Sequence, residues 1–205
     1  MNLYSSANNL QLIYDELPKK KPIDLSPAEL VTMNIIKECR AVIAAQLEFL
    51  WGAKSKNKLK TMAVNGLLNN HVLISNGKKI NIYTLPSFFP KPEKVIKDIV
   101  LAQLYTKIRK YQPCSIFRGD LTLLSIDKAL FPVFVLRHSE KILTPILKGL
   151  PRVIIITEKF KPEKYPIPVR ITTDEMLFKN DVYDLFLTPD GKVDRAAGIN
   201  ICGKK

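Results

Sequence analysis

Between residues 25 and 85 the spacing of apolar positions follows two periods. Three successive stretches repeat at about one helical turn, and two short runs of apolar residues follow them. Leu30, Met33 and Ile36 recur with Ile35 beside them, which predicts a first helix from Pro27 to Cys39. Its start carries an N-cap Ser26, Pro27 at the first helical position and Glu29 where a capping box places its acid. A second, shorter helix fits Ile43 to Trp51, with Leu47 and Leu50 inward and Gly52 supplying the turn. A third fits Lys56 to Asn69, with Leu59, Met62, Ala63, Leu67 and Leu68 as its buried stripe. Val72-Leu73-Ile74 and Ile80-Asn81-Ile82-Tyr83-Thr84 then flank Asn76-Gly77, a dipeptide favoured where φ is positive, and predict a hairpin. This order reads as a winged helix-turn-helix over residues 25–86. Tyr83 reads either as a wing contact or, more commonly for an aromatic on a hairpin, as core.

Residues 1–24 read as a polar tail and a basic hinge. Leu10, Leu12, Ile13 and Leu17 form a short docking helix or nothing, and Lys19-Lys20-Lys21-Pro22 is a solvated linker. Pro86, Pro90 and Pro92 mark a second linker. Beyond it, Val95, Ile96, Ile99, Val100, Leu104 and Ile108 predict a long amphipathic helix from Glu93 to Tyr111. Strands follow at Cys114–Phe117, Leu121–Leu124 and Phe131–Arg137, then a helix at Ser139–Leu150 that Pro145 kinks or shortens. Arg152–Thr157 is nearly all apolar and β-branched, as in a strand buried on both faces. Val169–Thr173 is a further strand, with Thr173 or Asp174 capping a last turn. Strand, helix, strand implies a parallel crossover, so residues 92–187 read as a small α/β domain. Residues 188–205 read as a loose tail. The fold class expected is therefore α+β, a winged helix-turn-helix followed by a small α/β domain.

Charge changes this picture from a fold to a partner. The chain of 205 residues carries a net charge of +13, and such a field favours polyanions. Lys54-Ser55-Lys56-Asn57-Lys58-Leu59-Lys60 places four lysines in seven positions near the start of the third helix. Lys54, Lys56, Lys58 and Lys60 supply charge for phosphates, while Ser55, Asn57 and Thr61 supply neutral hydrogen-bonding groups. Asn57 is the foremost base contact, because a side-chain amide bonds adenine bidentately. Lys78 and Lys79 on the hairpin reach toward backbone phosphate. Arg40 either contacts phosphate or caps the end of the first helix electrostatically.

The remaining inventory argues against other chemistry. Cys39, Cys114 and Cys202 stand far apart with no metal-ligand spacing, so neither a metal nor another cofactor is expected. Met1–Ala7 has neither a basic n-region nor an apolar h-region, and no apolar run is long enough to span a bilayer; a cytoplasmic protein with no membrane partner is expected. His71 and His138 are far apart, and His71 reads as a strand-start residue. Arg118-Gly119-Asp120 invites comparison with the acidic corner of a metal-dependent nuclease, but Asp120 and Asp127 read as turn residues.

The order of elements resembles the plasmid replication-relaxation family. The residues carrying the resemblance are Leu25-Ser26-Pro27, the Gln46–Trp51 helix, the basic stretch Lys54–Lys60, Leu67-Leu68, Val72-Leu73 and Tyr83-Thr84-Leu85. In the second half they are Arg152–Ile156 and Val169–Thr173. The resemblance implies an N-terminal winged helix and a C-terminal part related to restriction-endonuclease folds. It implies DNA binding in replication, relaxation or transfer of a mobile element. The acid, acid and lysine set of an active nuclease is not found in this sequence, so a non-enzymatic, sequence-specific binder of double-stranded DNA is expected, acting as a homodimer in one of those roles or as a transcriptional regulator. The rival expectations are a metal-dependent nuclease or nicking accessory, and a protein-interaction adaptor.

Overall fold

A computed structural model describes residues 2–15 and 25–202. The chain is a mixed α+β protein with two sheets, and its contacts divide it into two compact units. One comprises Ser6–Ala102; the other comprises Met1–Ser5 with Gln103–Lys205. The expected basic hinge at Lys19–Pro22 lies outside the described residues, as does Leu17.

The first unit runs β1 (Leu10–Ile13), α1 (Pro27–Cys39), β2 (Ala41–Val42), a 3-10 turn (Ala44–Leu47) and α2 (Glu48–Trp51). A second 3-10 turn (Gly52–Lys54), α3 (Ser55–Val64), β3 (Asn69–Ser75) and β4 (Lys78–Thr84) follow. The capping box at α1 is formed: Glu29 N–H donates to Ser26 Oγ at 3.3 Å, and Ser26 N–H donates to Glu29 Oε2 at 2.9 Å. The buried face of α1 is Thr32, Ile35, Ile36 and Cys39. Leu30, expected inward, is 48% exposed. A strict three-residue step drifts around a helix of about 3.6 residues per turn, so Leu30, Met33 and Ile36 do not share one face.

The second helix is split into the 3-10 turn and α2 around a buried Gln46. That side chain accepts from Ile43 N–H at 3.0 Å and donates to Ile99 O at 2.7 Å. The third helix is shorter than expected. Gly66, at φ +77°, ends it. Leu67 N–H bonds Met62 O at 3.0 Å and Gly66 N–H bonds Ala63 O at 3.0 Å, a Schellman arrangement. Leu67 and Leu68 remain buried in the connection, which is why they read as part of the helical stripe.

The hairpin turns through Asn76 and Gly77, both at positive φ, with Ser75 opposite Lys78. Tyr83 is fully buried. His71 stands inside β3 rather than at its start: its Nδ1 accepts from Asp15 N–H at 2.9 Å and its Nε2 lies 3.2 Å from Thr84 Oγ1. The sheet order is β1-β3-β4-β2. Residues 10–13 are therefore neither a helix nor idle. They add an antiparallel strand to β3, Leu10 opposite Ser75 and Ile13 opposite Val72, and so satisfy backbone groups that the hairpin alone leaves open.

Helix α4 (Pro92–Arg109) begins one residue before the expected Glu93, at a proline assigned to the linker, and the division between units falls within it, at Ala102 and Gln103, rather than in the proline-rich stretch. Val95, Ile96 and Ile99 are fully buried. The second unit continues with β5 (Cys114–Arg118), β6 (Thr122–Ile126), β7 (Ala129–Val135), α5 (Thr144–Lys148), β8 (Val153–Thr157) and β9 (Val169–Thr173). Helices α6 (Asp174–Lys179) and α7 (Arg195–Cys202) follow. The sheet order is β5-β6-β7-β8-β9, with the first three strands antiparallel and the last three parallel. Pro145 sits in the first turn of α5, and the expected longer helix shrinks to five residues around it. Thr173 caps α6, accepting from Met176 N–H at 3.3 Å.

Residues 188–202, expected to be loose, are folded in. Leu187 bridges Ile171 and Val193, and Ala197 on α7 is buried. Gly198 explains how α7 approaches so closely: a Cβ there would stand 2.5 Å from Tyr183 Cα and 2.6 Å from Tyr183 O. Backbone cannot swing away as a side chain does. Gly198→Ala is expected to cost about 1–3 kcal/mol. Urea unfolding reads the cost, with faster amide exchange confined to α7; an unaltered midpoint would refute the close approach.

Candidate nucleic-acid interface

Helix α3 is built by its inward face. Ser55, Leu59, Met62 and Ala63 are buried, and their spacing leaves Asn57, Lys60, Thr61 and Val64 on the opposite side, at i, i+3, i+4 and i+7. These four are all exposed, and exposed Lys54, Lys56 and Lys58 flank them. The expected set is thus mostly outward, with one correction. Ser55 is 2% exposed and belongs to the core side, because the helix begins at that residue and its stripe includes it.

Two members of the set have local partners. Thr61 Oγ1 donates to Asn57 O at 3.0 Å, so its hydroxyl proton is committed to its own helix. Lys58 Nζ lies 5.3 Å from the centroid of the Trp51 ring, a cation–π contact. Trp51 is itself pinned, its Nε1–H donating to Thr32 Oγ1 at 3.1 Å. Glu29 is held below the usual carboxylate range by its bonds to Ser26, with a smaller contribution from the charge of Lys58. Lys56 and Lys60 are the exposed lysines on the helix itself with neither of these contacts.

Lys78 and Lys79 open β4 and are exposed. Their turn is braced by residues that sequence reasoning passed over: Asn76 Nδ2 donates to Asn8 Oδ1 at 2.7 Å, and Asn9 N–H donates to Asn76 Oδ1 at 3.3 Å. The alternation at residues 10–13 was the available signal for this brace. Arg40 is exposed at the C-cap of α1, with φ +70°, its N–H bonding Ile36 O at 2.7 Å. Its guanidinium stands 5.9 Å from the Phe88 ring centroid.

In the second unit the sequence pointed to Asp120 and Asp127. Both are exposed in turns, Asp127 at φ +45° in the two-residue loop between β6 and β7. What sequence reasoning missed lies at the C-terminal ends of the parallel strands: Arg137 after β7, Glu158 after β8 and Asp174 after β9. Arg137 Nη1 donates to Asp174 Oδ2 at 2.7 Å, with the two side chains 1% and 3% exposed. Burial pushes the Asp174 carboxyl above its usual range, while Arg137 and Asn2 pull it back. The available signal was a charged residue at the C-terminal end of each of three β-forming runs.

Among the described residues, no group of three or more His, Cys, Asp and Glu side chains is placed to hold a metal ion, and no helix is long and apolar enough to cross a membrane. No protein-family model matches the chain, and neither a curated protein nor a solved structure shows significant similarity to it.

Proposed function

We propose that residues 25–86 form a winged helix-turn-helix that binds double-stranded DNA sequence-specifically and without catalysis. The observation that carries this reading is the outward ridge of α3, an amide and a lysine on one face with further lysines beside it. The strand order supports it. A short β2 between α1 and α2 pairs with β4, the second strand of the hairpin; such pairing places a hairpin beside a helical triad, as a wing requires. In this reading α3 enters the major groove, Asn57 reads a base edge, and Lys56, Lys60, Lys78 and Lys79 meet phosphates. Lys54 and Lys58 add to the field, and Arg40 serves chiefly as a helix end.

The protein is further proposed to act as a homodimer, because one such module buries little surface and two half-sites raise affinity, either in replication, relaxation or transfer of a plasmid or mobile element, as the family resemblance implies, or in transcriptional regulation. The second unit then serves as a partner or dimer surface.

The test is footprinting of the full chain across a replicon, with a salt titration on a random duplex. A clustered set of protected repeats beside an origin supports the replicative role, and protected promoter sites support the regulatory one. No retardation of any duplex at low salt would overturn DNA binding. Asn57→Ala is expected to lose about 1–3 kcal/mol on the preferred site while leaving random-duplex affinity unchanged. Competition of the footprinted site against random duplex measures it.

A further inference from the structure

In open α/β sheets, ligands bind beyond the carboxyl ends of parallel strands. Here that edge, after β7, β8 and β9, borders a cavity of about 420 Å³ lined by Asn2, Tyr4, Glu158, Lys159, Asp174 and Phe178, among others. The chain's own segment Asn2–Ser5 lies against it. The Tyr4 ring stacks on Phe178, centroids 4.5 Å apart and planes 10° from parallel. Asn2 Nδ2 donates to Asp174 Oδ2 at 2.6 Å, Arg137 Nη1 donates to Tyr4 O at 3.2 Å, and Ser5 Oγ donates to Glu158 Oε2 at 2.6 Å.

We propose that this edge is a guanine-binding site and that Asn2–Ser5 occupies it as an internal stand-in for the base. Three contacts of the segment reproduce what a guanine presents: a flat ring on Phe178, a carbonyl oxygen on the Arg137 guanidinium and an amino group on the Asp174 carboxylate. Guanine's pairing edge carries one acceptor, O6, beside two donors, N1–H and the N2 amine. A guanidinium next to a carboxylate is its complement, whereas adenine and cytosine each offer that carboxylate one donor group. The buried pair has capacity left over. Arg137 Nε and Nη2 and Asp174 Oδ1 make no hydrogen bond among the described residues, although both side chains are more than nine-tenths buried. Exposed Lys159 and Lys179 at the rim supply charge for a phosphate, the latter also paired with Glu175 at 2.8 Å. The base comes either from a free nucleotide or from an unstacked guanine of a nucleic-acid strand.

A segment that occupies the site lowers apparent affinity by the fraction of time it is displaced. Tyr4→Ala in the full chain, which removes the stack, is therefore expected to bind GMP at least about tenfold more tightly than the unaltered chain by titration calorimetry. Asn2→Ala with Ser5→Ala, which keeps the ring and loses the side-chain hydrogen bonds to Asp174 and Glu158, is expected to act in the same direction. Adding Phe178→Leu to Tyr4→Ala is expected to reverse the gain, and IMP, which lacks the N2 amine, is expected to bind more weakly than GMP. Binding of GMP identifies a free nucleotide as the source. Binding only of a guanine-bearing single strand, lost when hypoxanthine replaces guanine, identifies an unstacked base. The proposal is overturned if both segment variants, with native circular dichroism, bind neither probe saturably. It is equally overturned if AMP binds as well as GMP or if Phe178→Leu has no effect. Charge reversal on α3 leaves GMP binding unchanged, which keeps this test separate from that of duplex binding.

Discussion

Lys56→Glu with Lys60→Glu is expected to lower duplex affinity by on the order of a hundredfold or more at about 0.1 M salt, with the fold intact. Both side chains are exposed on the ridge side of α3, and its core stripe of Leu59, Met62 and Ala63 is untouched by the change. Each lysine that neutralises a phosphate releases a counterion, so removing two contacts lowers the slope of log affinity against log salt by roughly two. Reversal adds repulsion to that loss. Lys58→Glu is a useful contrast. Its ammonium lies over Trp51 and near Glu29, so part of its effect is on the α1–α2 packing and appears in thermal unfolding. Fluorescence anisotropy on a labelled duplex at several salt concentrations reads both variants. An unchanged affinity and slope in the Lys56 and Lys60 variant would remove the main support for DNA binding through α3.

The second large effect concerns the buried Arg137–Asp174 pair. Asp174→Ala strands the Arg137 guanidinium, which is almost wholly enclosed. Breaking such a pair by removing one partner costs about 3–5 kcal/mol, because the remaining charge is left without compensation. Asp174→Asn retains an acceptor oxygen at the same place and is expected to cost less. Replacing both members, Arg137→Met with Asp174→Leu, is expected to recover most of the loss, since no charge then remains buried. Urea unfolding followed by probes in the second unit measures these costs, because the two units need not unfold together. Equal destabilisation by the single and the double replacement would show that the pair matters only through the space it fills.

How much of this was legible depends on the range of the interaction. The start of helix α1 was readable to the residue, because its capping box lies within four residues of sequence. The turn at Asn76-Gly77 was readable because positive φ at two successive positions restricts the residues that fit. The parallel pairing of β7 and β8 followed from the helix between them, which implies a crossover rather than a hairpin; the parallel pairing of β9 was not foreseen. The outward lysines of α3 were readable because the helical period separates them from the apolar stripe, and Ser55 was misplaced because the helix starts one residue earlier than expected.

What composition, capping and periodicity determined by themselves was the kind of protein: basic, mixed α+β, with a lysine-bearing helix ahead of a hairpin. Tertiary structure alone decided the places where distant residues meet. Residues 10–13 became a strand because an edge of β3 offered backbone partners. Residues 195–202 became an anchored helix because Gly198 lets it lie on the backbone of Tyr183. Asn2, Arg137 and Asp174 became neighbours because three parallel strands end side by side. Local propensity acts over a few residues and is written in them; pairing beyond that range depends on which surfaces the folded chain leaves open.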